Sequence, residues 1–300
     1  MEFLTILLPI FMIFAIGFIG QKWIGFDIRS LSTMAMYLMS PVLVFRTFYQ
    51  LKFEPTYMYM ILHSALLCIS LIGIVYLIGW WKGYTTTEIC GLILASVFMN
   101  NGNYGTPLVL FVFGEKGLHY AVFLMVIQAL IMCTVGVYYA AKGSPEHDGV
   151  RSALRAVQRM PIVYGALAGM LLHMFQVPLA PSLMQAVHMV ADATIPTIMI
   201  ILGMQLATIS IRSLSVEKLS YSLALRMLIS PVIAFAITWF LPMEPLLKQI
   251  LILMAAMPTA ANTTLYAVQF RTEPDFVSSA TLISTNLSIL TLPVLLALLM

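Results

Sequence analysis

Two long apolar stretches of this 300-residue chain are broken in the middle, and the breaks sit about 157 residues apart. The first stretch, Glu88 to Phe113, is interrupted by Asn100-Asn101-Gly102-Asn103-Tyr104-Gly105-Thr106-Pro107. The second, from about Leu246 to Phe270, is interrupted by Met257-Pro258-Thr259-Ala260-Ala261-Asn262-Thr263-Thr264. In hydrocarbon an unpaired backbone group costs several kcal/mol, roughly 4–8 on a cyclohexane scale. Unwound backbone at that depth survives only where protein buries it or where it lines a cavity. A matched pair of breaks in two halves of one chain points to the binding site of a membrane carrier.

The rest of the chain agrees with a membrane setting. It is 61% hydrophobic and 9% charged, against roughly 25% charge in a soluble protein. This places it as an all-α integral membrane protein. A span needs about 20 apolar residues, and ten such stretches are expected, at roughly 3–21, 31–50, 57–80, 88–113, 118–140, 160–177, 182–208, 219–241, 246–270 and 276–299. Phe3 to Gly20 reads as a first transmembrane helix rather than a signal peptide, because Glu2 stands where a basic segment belongs and Lys22 follows the apolar run. The net charge of +3 is small and unclustered, which excludes a nucleic-acid surface. Three cysteines, Cys68, Cys90 and Cys133, fall inside spans and read as free packing residues.

Basic residues divide ten against four between the two sets of connections, which puts the loops after odd-numbered spans in the cytoplasm and both termini outside, in a plasma (inner) membrane. The longest connection, Ala141 to Arg159, splits the chain into a first repeat at 1–145 and a second at 146–300. Five spans is an odd number, so the second repeat enters the membrane inverted. Pro41 corresponds to Pro196, and Met99 to Met257, at offsets of about 155 and 158 residues.

At each break a half-helix ends and another begins. Gly102 and Gly105 offer unusual backbone conformations, Thr106-Pro107 reads as a helix start, and Pro258 ends one helix before Asn262 or Thr263 starts the next. Half-helix N-termini carry about half a positive charge and free N–H groups. With Asn100, Asn101 and Asn103 as neutral donors, such a crossing suits an anion. The plainer reading, two proline kinks and an Asn-rich packing turn, has to explain why both breaks carry asparagine and proline at matched positions.

The segments NNGNYGTPL (Asn100–Leu108), MPTAANT (Met257–Thr263) and IPTIMIILGMQLA (Ile195–Ala207) resemble the auxin efflux carrier family, and the resemblance covers the whole chain. It implies ten helices in two inverted five-helix repeats, with broken helices 4 and 9 crossing at the midplane. It also implies a scaffold of helices 1, 2, 6 and 7, a mobile part of helices 3–5 and 8–10, and elevator-like alternating access. Family members move small organic anions, including malate or malonate in bacteria. The matching crossing residues are Asn103, Pro107, Pro258 and Asn262. A homodimer is expected by analogy with relatives.

Asp192 and Arg226 are the ionisable residues well inside spans, and intramembrane charge is a functional hypothesis by default. Their depths at 1.5 Å per residue overlap enough to allow a pair. A fixed ion pair, a proton- or sodium-coupling role for Asp192, and a substrate contact from Arg226 all stay open. His188 lies four residues before Asp192 and reads as a packing histidine or a relay. Arg46 is expected to reach the outer interface. Nothing has metal-ligand spacing or a phosphate-binding loop, so no enzyme, cofactor or metal is expected beyond coupling to H⁺ or Na⁺. The leading reading is a secondary active or facilitative carrier of mono- or dicarboxylates. The rivals are a sodium-coupled carrier like the bile acid symporters and a non-transporting receptor or channel.

Overall fold

The structure is a computed structural model describing residues 2–50, 55–144, 161–207 and 215–300. The described residues are helical apart from short connections and one isolated antiparallel bridge. Among the described residues, six helical runs are long and apolar enough to cross a membrane: Ile28–Tyr49, Thr56–Lys82, Asn101–Lys142, Pro181–Ala207, Val216–Phe240 and Pro274–Leu299. Thr86–Ser96, Pro161–Met174 and Pro245–Ala255 are shorter apolar helices. The expected repeat boundary at 145/146 and the loop residues Lys52, Arg151, Arg155, Arg159 and Arg212 lie outside the described residues.

The chain forms two compact units. The first takes Met1–Glu54, Gly102–Val126 and Arg159–Ile209. Its helices are α1 (Glu2–Ile24), α2 (Ile28–Met34), α3 (Ser40–Tyr49), much of α6 (Thr106–Ile131), α8 (Pro161–Met174) and α9 (Pro181–Ala207). Helix α1 packs on α9, and α3 packs on α8. Both contacts run backbone to backbone. A Cβ added at Gly17 or Gly203 would strike the Ile200 or Phe14 carbonyl, and one added at Gly165 or Gly169 would strike that of Pro41 or Phe45. Small residues at helix crossings serve this purpose in membranes, where apolar burial between helices drives little.

A π-helical turn, Ala35–Met39, joins α2 to α3 just before Pro41. Proline lacks an N–H and its ring crowds the carbonyl four residues back, here that of Tyr37; the wider turn accommodates both. The second unit repeats the device: the π turn Leu225–Ile229 precedes Ser230-Pro231.

That second unit takes Pro55–Asn101, Ile127–Gln158 and Ser210–Met300. It holds α4 (Thr56–Lys82), α5 (Thr86–Ser96), the end of α6, α7 (Val137–Lys142), α10 (Val216–Ala224), α11 (Ser230–Phe240), α12 (Pro245–Ala255), α13 (Ala261–Phe270) and α14 (Pro274–Leu299). Helix α5 starts on a capping box, with the Glu88 N–H donating to Thr85 Oγ1 and the Thr85 N–H to Glu88 Oε2 at 2.9 Å. Lys218 Nζ bridges Glu88 (3.1 Å) and Glu273 (2.8 Å), tying together the starts of α5, α10 and α14. Cys68, Cys90 and Cys133 are buried thiols outside any disulfide.

Candidate functional site

Both breaks are present and shorter than the sequence suggested. The first covers 97–100 rather than Asn100 to Pro107, because the chain re-enters helix at once through a π turn, Asn101–Gly105, that runs into α6. Neither Gly102 nor Gly105 takes a positive φ, contrary to the expectation from their type. At Gly102 the issue is space, since an added Cβ would sit 3.3 Å from the Met125 side chain. The second break covers 256–260, so Asn262 and Thr263 fall in the first turn of α13. A positive φ occurs instead at Gly114 (φ 67°), which interrupts α6 between the fourth and fifth expected spans.

Within the second unit the two breaks pair with each other. Met99 and Thr259 form an antiparallel bridge, flanked by Asn100 N–H donating to the Pro258 carbonyl (2.8 Å) and Ala260 N–H donating to the Phe98 carbonyl (3.0 Å). Each unwound segment thereby satisfies the other's backbone, which removes a penalty of about 1–3 kcal/mol per buried group. Side chains complete the network. The Thr259 N–H donates to Ser284 Oγ at 3.1 Å, and the Ala95 carbonyl accepts from Thr259 Oγ1 (2.5 Å) and Ser222 Oγ (3.2 Å).

Arg226, fully buried, sits at the carbonyl ends of both first half-helices. Its Nη1 donates to the carbonyls of Ser96 (3.1 Å) and Val97 (3.0 Å), and its Nη2 to the Ala255 carbonyl and Ser230 Oγ. Ser230 Oγ also donates to the Ala255 carbonyl at 2.8 Å. The four terminal N–H donors of the guanidinium are thus committed to the protein.

The predicted site residues divide between the units. Asn100, Asn101, Pro258, Asn262 and Thr263 belong to the second. Asn100, Asn101 and Pro258 are buried, Asn262 is half-buried, and Thr263 donates its hydroxyl to the Ala260 carbonyl at 2.7 Å. Gly102, Asn103, Gly105 and Pro107 belong to the first unit, where Asn103 is half-buried and Pro107 buried. Beside Asn103, the Tyr104 ring packs on Phe14 of α1 at 5.5 Å.

The ionisable candidates separate too. In the first unit Asp192 pairs with Arg46, not with Arg226. Arg46 is largely shielded while the Asp192 side chain is 69% exposed. They line a cavity of about 290 Å³ with Thr47, Gln50, Glu115, His119 and His188. No group of three or more metal-ligating side chains occurs among the described residues.

A family of membrane transport proteins, the auxin-efflux-carrier-like type, matches residues 3–296. The chain belongs to this family. It is a multi-pass membrane transporter. One relative of the transporter, named "Uncharacterized transporter", comes from Methanothermobacter thermautotrophicus and is 28% identical over 282 residues, covering 93% of this chain and 90% of that one. A second of the same description, from Methanocaldococcus jannaschii, is 28% identical over 229 residues (75% and 73%). A third, named "Putative malonate transporter", from Rhizobium meliloti, is 24% identical over 309 aligned positions (97% and 93%).

Sequence reasoning missed the transporter's hydroxyl network of Thr259, Ser284, Ser222 and Ser230. Serine and threonine inside apolar spans were its only visible signal. Of three further polar positions inside helices, two bond across helices and one within its own: His173 Nδ1 lies 2.8 Å from the Tyr49 carbonyl, Gln205 Nε2 donates to Ser32 Oγ at 3.3 Å, and Asn286 Nδ2 donates to the Leu282 carbonyl at 3.0 Å.

Proposed function

We propose that the protein is a secondary carrier of small organic anions, mono- or dicarboxylates, which binds them at the crossing of the two broken spans. The observation that carries this reading is the backbone pairing of 97–100 with 256–260. It holds two helix interruptions open inside an apolar protein without leaving their amides unpaired. Helix α13 then begins with no side-chain cap at Ala260, and its first-turn N–H groups with Asn262 suit a carboxylate. Asn103 and its neighbours Asn100, Asn101, Gly102, Gly105 and Pro107, together with Pro258 and Thr263, complete the residues assigned to the site. A relative bearing the name of a malonate transporter supports the substrate class.

The architecture proposed is ten spans in two inverted repeats, 1–145 and 146–300, with helices 1, 2, 6 and 7 as scaffold and 3–5 and 8–10 as the moving part of an elevator. Two observations support it. The 42-residue run Asn101–Lys142 would extend about 63 Å at 1.5 Å per residue, twice the hydrocarbon thickness of about 30 Å, and Gly114 gives it a place to turn. The pairing of α1 with α9 is also the repeat-related counterpart of α8 with α3. A plasma-membrane setting with both termini outside, coupling to H⁺ or Na⁺ through Asp192 and His188, and a homodimer belong to the same proposal. Arg226, with its terminal donors engaged by three carbonyls and the Ser230 hydroxyl, is assigned to the frame of the site rather than to coupling.

Reconstitution in liposomes tests the reading. Saturable uptake of labelled malonate or malate, accelerated by unlabelled substrate on the opposite side, is expected of a carrier. Saturable binding without countertransport would indicate a receptor, and non-saturable flux a channel.

A further inference from the structure

We infer that Arg226 is a fixed counter-charge for the transported anion, a positioning residue that makes the crossing favour dianions over monoanions without touching either. The inference rests on the carboxylate-carrier reading above.

Arg226 has no exposed surface, and none of its partners among the described residues is a carboxylate. An ion removed from water at this depth costs several kcal/mol unless something compensates it. The compensation visible here comes from backbone carbonyls and one hydroxyl. The Ser96, Val97 and Ala255 carbonyls are the C-terminal ends of α5 and α12, each bearing about half a negative charge. One guanidinium therefore balances two helix ends. Without it, the crossing would present about a full negative charge to an incoming anion. With it, the N-terminal end of α13, uncapped at Ala260, acts on the substrate unopposed.

The residue type fits this task. Its four engaged N–H groups, on two nitrogens of one plane, reach carbonyls on two different helices, whereas lysine has three donors on a single atom. An arginine also keeps its charge at any physiological pH. Its contribution is therefore constant through the transport cycle and independent of whatever proton coupling occurs elsewhere. Ser230 locks the arrangement by bonding both the guanidinium and the Ala255 carbonyl.

The test compares malonate, a dianion, with malonamate, its singly charged half-amide, in proteoliposomes of the full chain. Arg226→Gln removes the charge and keeps part of the donor set. Ser230→Asp keeps the arginine and supplies an internal acid that neutralises it. Each is expected to lower the KM preference for malonate over malonamate on the order of tenfold, as one charge about 10 Å away at an effective dielectric constant near 20 would. Arg226→Lys should preserve that preference while slowing turnover. A merely structural role would move both substrates together, so an unchanged preference in folded Ser230→Asp overturns the inference, even where Arg226→Gln fails to fold. If the wild-type protein takes up neither acid, the carboxylate reading itself falls, an outcome distinct from an unaltered ratio.

Discussion

The backbone N–H of Asn100 donates to the carbonyl of Pro258 at 2.8 Å, across 158 residues of sequence. One break thus supplies the donor that the other needs, and Ala260 returns the bond to Phe98 at 3.0 Å. The crossing is stable only as a pair: damage to either side strands buried polar groups on both.

Thr259 and Ser284 are fully buried, so removing a hydroxyl from this network should be costly. Thr259→Val keeps the shape but loses the bond to the Ala95 carbonyl, and Ser284→Ala strands the Thr259 N–H. Each is expected to destabilise the protein by about 1–3 kcal/mol, read as a lower melting midpoint in detergent. A midpoint equal to wild type in both would mean that the crossing is held by something else.

The helix pairs of the first unit should tolerate no side chain at their glycines. Gly203→Leu drives a side chain into the Phe14 carbonyl. Overpacking of this kind costs about 1–3 kcal/mol or more. The expected result is a sharp loss of monodisperse protein on size exclusion, whereas Gly73→Ala, with open space around it, should behave as wild type.

Much of this was legible in the sequence, and the failures have physical causes. Hydrocarbon penalises polar backbone so strongly that Pro258 and the Asn100–Asn103 run announced both interruptions. Their edges were misplaced because a π turn absorbs Asn101–Gly105 as helix, a geometry that residue type does not reveal. Depth alone left a pair between Asp192 and Arg226 open. The actual partner, Arg46, is 146 residues from Asp192 and depends on how α3 and α9 meet. Arg226 was visible as a buried charge, but three of its four partners are backbone carbonyls, which every residue has.

The Arg46–Asp192 pair separates coupling from stability. With Asp192 mostly exposed, the pair should add little to stability, about 0–1 kcal/mol. Asp192→Asn is therefore expected to melt near wild type while flattening the pH dependence of uptake. An unaltered pH profile in that variant would remove Asp192, and with it the His188 relay, from the coupling scheme.

At the start of α2, the Ser30 hydroxyl hydrogen-bonded to Asp27, aided by the Arg29 N–H and charge, holds the Asp27 carboxyl below its ordinary value of 3.8. A depressed folded-state value stabilises above the unfolded one and loses that effect as pH falls through the folded value. The melting difference between wild type and Asp27→Ala should hold steady at neutral and mildly acidic pH and narrow only below about 3.8. A difference that grows on acidification would contradict the sign.

Equilibrium binding of labelled malonate to purified wild type, Asn103→Ala and Asn262→Ala shows whether the crossing binds the substrate. Loss of one charge-assisted hydrogen bond, about 1.5–3 kcal/mol, predicts affinity weakened roughly tenfold to a hundredfold in each variant, with melting behaviour preserved. Wild-type affinity in both folded variants would contradict the account.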